Sequence, residues 1–164
     1  MKKGTKNEEV LLRKGIIHLI LVNSYLVFIY AIIAGLIFDL FVPIKIFNYP
    51  FYQNIGILMI ILGTFLVYWA QHSSNTAKKV YKDNVSVDAF MHGAYRYIRN
   101  PTHLGLLIMT LGLSFLINSL FSVIFLIISY IIIKIVFQKK EQNILIKKYG
   151  QIYIDYKNKV KNWL

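Results

Sequence analysis

Residues 103–137 read HLGLLIMTLGLSFLINSLFSVIFLIISYIIIKIVF, two apolar runs divided only by Asn118-Ser119. A segment that is hydrophobic on every face has no side to offer water, so it belongs in a core or in a bilayer. A tight turn at Asn118-Ser119 folds the two runs, 103–117 and 120–137, into an antiparallel helical hairpin. The first of them reaches spanning length only if its helix begins near Pro101, which draws the polar residues before it into the membrane interface.

Two further apolar runs lie upstream, at residues 16–38 and 51–70. The first, about 23 residues long, suffices to cross a ~30 Å hydrocarbon core at ~1.5 Å per residue. It is too long for a signal-peptide apolar region and lacks a small-residue cleavage site after it. Over 164 residues, 57% are apolar and the mean hydropathy is +0.54. Such a chain cannot cover its own surface with polar groups, so lipid is the expected solvent. The expected fold class is an all-α integral membrane protein with about four transmembrane helices, the C-terminal hairpin and a cytoplasmic amphipathic helix.

The formal charge is +12, and its placement decides its meaning. Lys2, Lys3, Lys6, Arg13 and Lys14 precede the first run, and Lys78, Lys79, Lys82, Arg96 and Arg99 lie between the second and third. Seven lysines from Lys139 to Lys161 follow the fourth, whereas the loop after the first run has only Lys45. By the positive-inside rule both termini and the 71–102 loop face the cytoplasm of a multi-pass cell-membrane protein. The basic charge then serves topology and anionic head groups, and nucleic acid is not expected as a partner. Tyr49, Phe51, Tyr52, Tyr68, Trp69 and Trp163 sit at interface depths. Gly56 and Gly63, like Gly105 and Gly112, recur seven residues apart, a spacing that permits close helix contact.

The chain divides into a 1–15 cytoplasmic tail, two spans within 16–70, and a region 86–163 holding the last two spans, all one domain over 1–164. Residues 71–92 are expected as a long polar connection, irregular around Ser73, Ser74, Asn75, Asp83 and Asn84. A helix over 139–149 should stop at Gly150. A second, over 151–161, places Ile152, Tyr153, Tyr156 and Val160 on one face, to lie on the interface or cap the bundle.

Chemistry concentrates in GAYRYIRNPTHLG, residues 93–105. Pro101 suits the first helical position and Asn100 the cap before it, so the helix entrance offers backbone N–H groups and a positive dipole end to an anion. Arg96 and Arg99 add forked donors. The competing reading is an interfacial anchor in which Arg and Tyr snorkel and Gly105 packs against a helix. Glu141 is the sole acid of residues 134–148, and the hairpin returns it to the side of Arg99 and His103, where it could receive an ammonium. The alternative is a solvated acid, although Phe137, Gln138, Ile144 and Leu145 leave it no helical ion-pair partner. His18, Asn23, Ser24, Tyr25 and Tyr30 of the first run suit interhelical bonds better than ligand contacts. Cysteine is absent, which excludes thiolate chemistry and disulfides. His18, His72, His92 and His103 have no metal-ligand spacing, so no metal is expected.

Together the 93–105 stretch, the apolar pair after it and EQNILIKKYGQIYIDYKNKVKNWL at 141–164 resemble the isoprenylcysteine carboxyl methyltransferase family and its phospholipid methyltransferase relatives. That family's pattern is Gly-x-Tyr-Arg-x-x-Arg-His-Pro-x-Tyr-x-Gly, a hairpin, then Glu-Glu, Leu, Phe-Gly, Tyr and Tyr. Gly93, Tyr95, Arg96, Arg99, Pro101 and Gly105 match its first part, and Glu141, Leu145, Gly150, Tyr153 and Tyr156 its second, with Tyr149 in place of Phe. The resemblance spans residues 86–163 and implies S-adenosylmethionine as cofactor. It implies cofactor contacts by Tyr95, Arg96, Arg99, Asn100, Pro101, His103, Leu104, Gly105 and Glu141, catalytic roles for Arg99, His103 and Glu141, and acceptor contacts by Tyr149, Tyr153 and Tyr156. The chain departs at Asn100 for His, His103 for Tyr and Gln142 for the second Glu. The implied activity is methyl transfer to a lipophilic membrane acceptor, first an isoprenylcysteine-like carboxylate and next a phospholipid amine. A non-catalytic lipid-binding or assembly protein is the rival from another class.

Overall fold

The computed structural model describes residues 3–48, 51–80 and 86–160, with side chains from residue 22 onward except residue 78. Expected features at Tyr49, Lys82, Asp83, Asn84, Lys161 and Trp163 lie outside the described residues. The described chain is all helical: α1 (Lys3–Phe41), α2 (Phe51–Val80), the short α3 (Val87–Phe90), α4 (Pro101–Ile117), α5 (Leu120–Ile132), α6 (Lys139–Tyr149) and α7 (Gln151–Lys159). A 3-10 turn, Gly93–Arg96, precedes α4, and a π-helical turn, Ile133–Gln138, joins α5 to α6 without a break. Among the described residues the only strand-like pairing is an isolated bridge between Lys45 and Ser119.

The backbone of α1 is helical from Lys3, so residues 3–15 of the expected tail are continuous with the first long helix. Its Lys and Glu residues are good helix formers and no proline interrupts them. The expected irregular connection from residue 71 is likewise helical as far as Val80. Ser73 explains part of this, because its hydroxyl donates to the carbonyl of Trp69 at 2.6 Å and needs no non-helical partner.

Three helices are long and apolar enough to cross a membrane: Val22–Phe41, Phe51–Ala77 and Leu120–Tyr149. Pro101–Ile117, with 17 residues, is shorter and rises about 26 Å, a little under the ~30 Å core. Large apolar side chains point outward along the long helices, among them Leu58, Ile61, Phe65, Ile29 and Ile131 at half exposure or more. Leaving so much hydrocarbon surface in water is unfavourable, and lipid removes the cost.

The two glycine pairs define the main helix contact. A Cβ on Gly63 would stand 2.6 Å from the carbonyl oxygen of Gly105, and one on Gly112 would stand 2.6 Å from that of Gly56. As the α2 number rises by seven the α4 number falls by seven, so the helices run antiparallel with their backbones touching. Thr110 and Ser114 return their hydroxyls to carbonyls of α4 itself and leave no polar group stranded at this seam. By contrast α5 packs on α1, where Gly35 meets the Ser122 backbone and the Phe38 ring lies tilted against those of Phe121 and Phe125. The two helices expected as a hairpin therefore touch sparsely beyond their turn; each finds its partner elsewhere.

That turn is closed by Asn118, which adopts a left-handed backbone (φ 59°). Its side chain accepts from the N–H groups of Ile46 and Phe47 at 2.9 and 3.0 Å and donates to the Phe47 carbonyl at 2.8 Å. One amide thus ties the α4–α5 turn to the chain leaving α1. Ser119 then caps α5 by accepting from the Ser122 N–H at 3.0 Å.

Gly112→Ala tests the glycine seam directly. Its new methyl meets backbone on α2, which cannot swing aside as a side chain can, so overpacking should cost about 1–3 kcal/mol. The thermal unfolding midpoint in detergent is expected to fall by about 5 °C; an unchanged midpoint would show that the seam has slack.

Candidate functional site

The first turn of α4 is held in place from several directions. Pro101 occupies the first helical position, as its missing N–H and fixed φ favour. Asn100 precedes it at the cap position, but its side chain does not cap the helix. Its amide instead donates to Gln138 Oε1 at 3.1 Å, which corrects the expected capping role. Uncapped by a side chain, the N–H groups of this first turn keep their capacity for an anion.

His103 is 2% exposed, and its Nε2 lies 3.0 Å from Ser24 Oγ of α1. The bond pins α1 to the start of α4. Gly105 stands against Gly63 and Val67 of α2, so its missing side chain admits a helix at this position. Leu104 is half-buried and Arg96 exposed.

Tyr95 lies in the 3-10 turn just before Arg96. That turn opens at Gly93, whose positive φ of 56° suits glycine and whose Cα approaches Ser73 too closely to carry a side chain. Ser73 also accepts from the Ala94 N–H at 3.2 Å, anchoring the loop to α2. At the other end of the turn Tyr156 donates its hydroxyl to the Tyr95 carbonyl at 2.9 Å. Tyr149, Tyr153 and Tyr156 all pack on Phe90 of α3, with ring centroids 5.0 to 5.5 Å away. Tyr153, Tyr156 and Val160 are buried there, so the apolar face of α7 is covered by α3 and α6. The three tyrosines expected to touch an acceptor thus form the platform under the arginine loop.

Glu141 stands in the first turn of α6. The π-helical turn before it inserts extra chain into each hydrogen-bonded ring and re-aims the residues beyond it. Gln138, at the end of that turn, is buried and meets Asn100. The charges of Glu141 and Arg99 both reach the Tyr153 phenol, and that of Glu141 reaches Tyr95, whose phenol bonds Thr102. Nε and Nη1 of Arg99 and Oε2 of Glu141 are buried without any hydrogen-bond partner. Together with Asp39 Oδ1, they are the only such side-chain atoms among the described residues. An unmet buried charge is expensive. Here buried polar atoms of one basic and one acidic side chain are unmet, both within the stretches that precede α4 and open α6.

Gln138, Ser24, Thr102 and Ser73 are the site-shaping residues that sequence reasoning did not assign to the site. Ser24 was visible as a polar residue in an apolar run; Gln138 depends on a π-helical turn for which residues 133–138 offer no local mark. No group of three or more His, Asp or Glu side chains gathers among the described residues.

A family model described as phospholipid methyltransferase matches residues 51–152, from the start of α2 into α7. No curated protein matches the chain, and no solved structure does.

The phenols of the platform give a pH test. Burial, reinforced by Glu141, pushes Tyr153 up to about 12, and burial with Tyr153 and Tyr95 raises Tyr156, from an ordinary value of 10.0. With folded values above the unfolded one, their stabilising contribution is whole below about pH 10 and is lost as pH climbs through the folded values. The unfolding midpoint should therefore drop as pH rises from about 10 towards 12. Tyr153→Phe should flatten that drop; an identical profile for the variant would place the titration elsewhere.

Proposed function

The chain belongs to the phospholipid methyltransferase family, and from that premise we propose that it is an S-adenosylmethionine-dependent membrane methyltransferase acting on a lipophilic acceptor. The observation that supports this best is the set of unbonded buried atoms on Arg99 and Glu141. The residues present fit the cofactor. Arg99 and the N–H groups at the start of α4 suit its carboxylate, and Glu141 suits its ammonium. Tyr95 and Tyr153, both reached by the charge of Glu141, offer rings that would suit a sulfonium.

When bound, S-adenosylmethionine supplies an electrophilic methyl group on a good leaving group. What remains for the protein is alignment, exclusion of water and handling of one proton. Arg99 and Pro101 fix the donor end, and the Asn100–Gln138 bond holds the α4 start against the π-helical turn. A carboxylate acceptor arrives ionised, whereas an amine must shed a proton before it attacks carbon. With Glu141 holding the ammonium, His103, whose Nε2 is held by Ser24, is assigned that proton; a free Glu141 would be the other group able to take it. The matched family is described by phospholipids, which supports a phospholipid amine as the first acceptor to test, ahead of the isoprenylcysteine-like carboxylate.

We assign α1, α2, α4 and the α5 segment as four crossings of one domain, with α4 completed by its interfacial start. Both termini, the 71–102 stretch and the Arg99–Glu141 site then share the cytoplasmic side, where the lysines cluster. The acceptor's hydrocarbon part reaches the site laterally from the bilayer.

Calorimetry with S-adenosylhomocysteine in detergent should show binding that weakens about tenfold or more in Glu141→Gln and in Arg99→Lys, since hydrogen bonds to charged groups contribute ~1.5–3 kcal/mol. Neither variant should lower the unfolding midpoint, since the altered buried atoms make no hydrogen bond within the protein. Absence of binding at millimolar ligand would return the chain to the non-catalytic reading. Methyl label from the cofactor is expected in phosphatidylethanolamine; label only in a prenylcysteine analogue would reverse the acceptor order.

A further inference from the structure

At the end of the bundle remote from Arg99 and Glu141, the last turns of α1, the chain after it and the end of α4 border a cavity of about 420 Å³. Its walls include Ile33, Leu36, Ile37 and Ile117, and two charged residues, Asp39 and Lys45, also line it. Ile33 and Ile37 are about half exposed, at 47% and 49%, so the apolar wall continues outward along α1. Asp39 Oδ1 is buried without a hydrogen-bond partner. The cavity and the methyl-transfer site lie at opposite ends of α4, whose length is about 26 Å.

The lining restricts what can fill this space. Hydrocarbon alone matches the isoleucines but leaves the carboxylate uncompensated. An anionic lipid brings like charge to Asp39, and a small soluble amine leaves the apolar walls uncovered. A molecule with a primary ammonium, a neighbouring anion and a hydrocarbon chain satisfies all three parts: ammonium on Asp39, anion towards Lys45, chain over Ile33 and Ile37. We propose that this cavity is a binding site for one aminophospholipid, held as a structural lipid and separate from the proposed methyl acceptor.

Its place gives it a task. The cavity borders Asn118, whose side chain joins the α4–α5 turn to residues 46 and 47. A lipid seated there bridges the same two segments from the membrane side and reinforces that junction. Nothing in this inference depends on the methyl-transfer reading.

The test is photo-crosslinking in neutral detergent, with phosphatidylethanolamine carrying a diazirine high on one acyl chain. Adducts are mapped by peptide mass. Labelling is expected within residues 33–45, falling about tenfold in Asp39→Asn through loss of a charged hydrogen bond. The matching phosphatidylglycerol probe should label that segment weakly. Equal labelling in Asp39→Asn, or equal labelling by phosphatidylglycerol, overturns the proposal. Should Asp39→Asn fail to fold, Ile37→Trp fills the cavity while keeping the carboxylate and must abolish the label; persistent labelling there overturns it as well. S-adenosylhomocysteine binding by the same variants stays at the wild-type level, which separates this result from any failure at the other site.

Discussion

The backbone contact between α2 and α4 is the constraint on which the remaining structure rests. With side chains absent at Gly56, Gly63, Gly105 and Gly112, the two helices meet carbonyl to Cα, and dispersion at that distance is strong in a bilayer that offers no hydrophobic drive. A helix held this closely can neither slide nor rotate. The start of α4 is thereby fixed in depth and direction, and Pro101, the arginine loop and the Ser24–His103 bond take their places from it. The site inherits its geometry from a helix seam one turn below it.

Much of this was legible in the residues. Runs of Ile, Leu and Phe announced the helices, Asn118-Ser119 the turn, and Gly150 the end of α6, where its φ of 58° is one that glycine tolerates. The seven-residue glycine spacing showed that some helix approached closely but not which one. Sequence separation suggested that α4 would pair with α5, whereas small residues at matching heights paired it with α2. Other features were beyond local reading. Polar residues 71–80 looked like a loop because nothing nearby reveals that Ser73 can satisfy itself on Trp69. Asn100 looked like a cap because its competing partner, Gln138, is distant in sequence and reaches it only through the π-helical turn.

The distribution of polar bonds separates scaffold from site. Asn118 makes three hydrogen bonds to backbone, Thr110 and Ser114 of α4 bond within their own helix, and Tyr156 finishes on Tyr95. These groups are satisfied within the protein and serve to hold it. Arg99 and Glu141 differ because buried parts of each find nothing to bond. A scaffold closes its hydrogen bonds; a site keeps some open.

The π-helical turn at Ile133–Gln138 bears on how such a bundle can change over generations. A π turn takes up one residue more than an α-helical turn, so a single-residue deletion there would restore an uninterrupted α-helix with the residues beyond it on nearly the same faces. The same deletion in the regular helix on either side would turn everything after it by about 100° while the apolar length of the segment hardly altered. The wide turn is thus the one place where this segment can gain or lose a codon without rotating Glu141 and the helix that carries it. Change of length and change of phase, coupled everywhere else along the helix, come apart at that point.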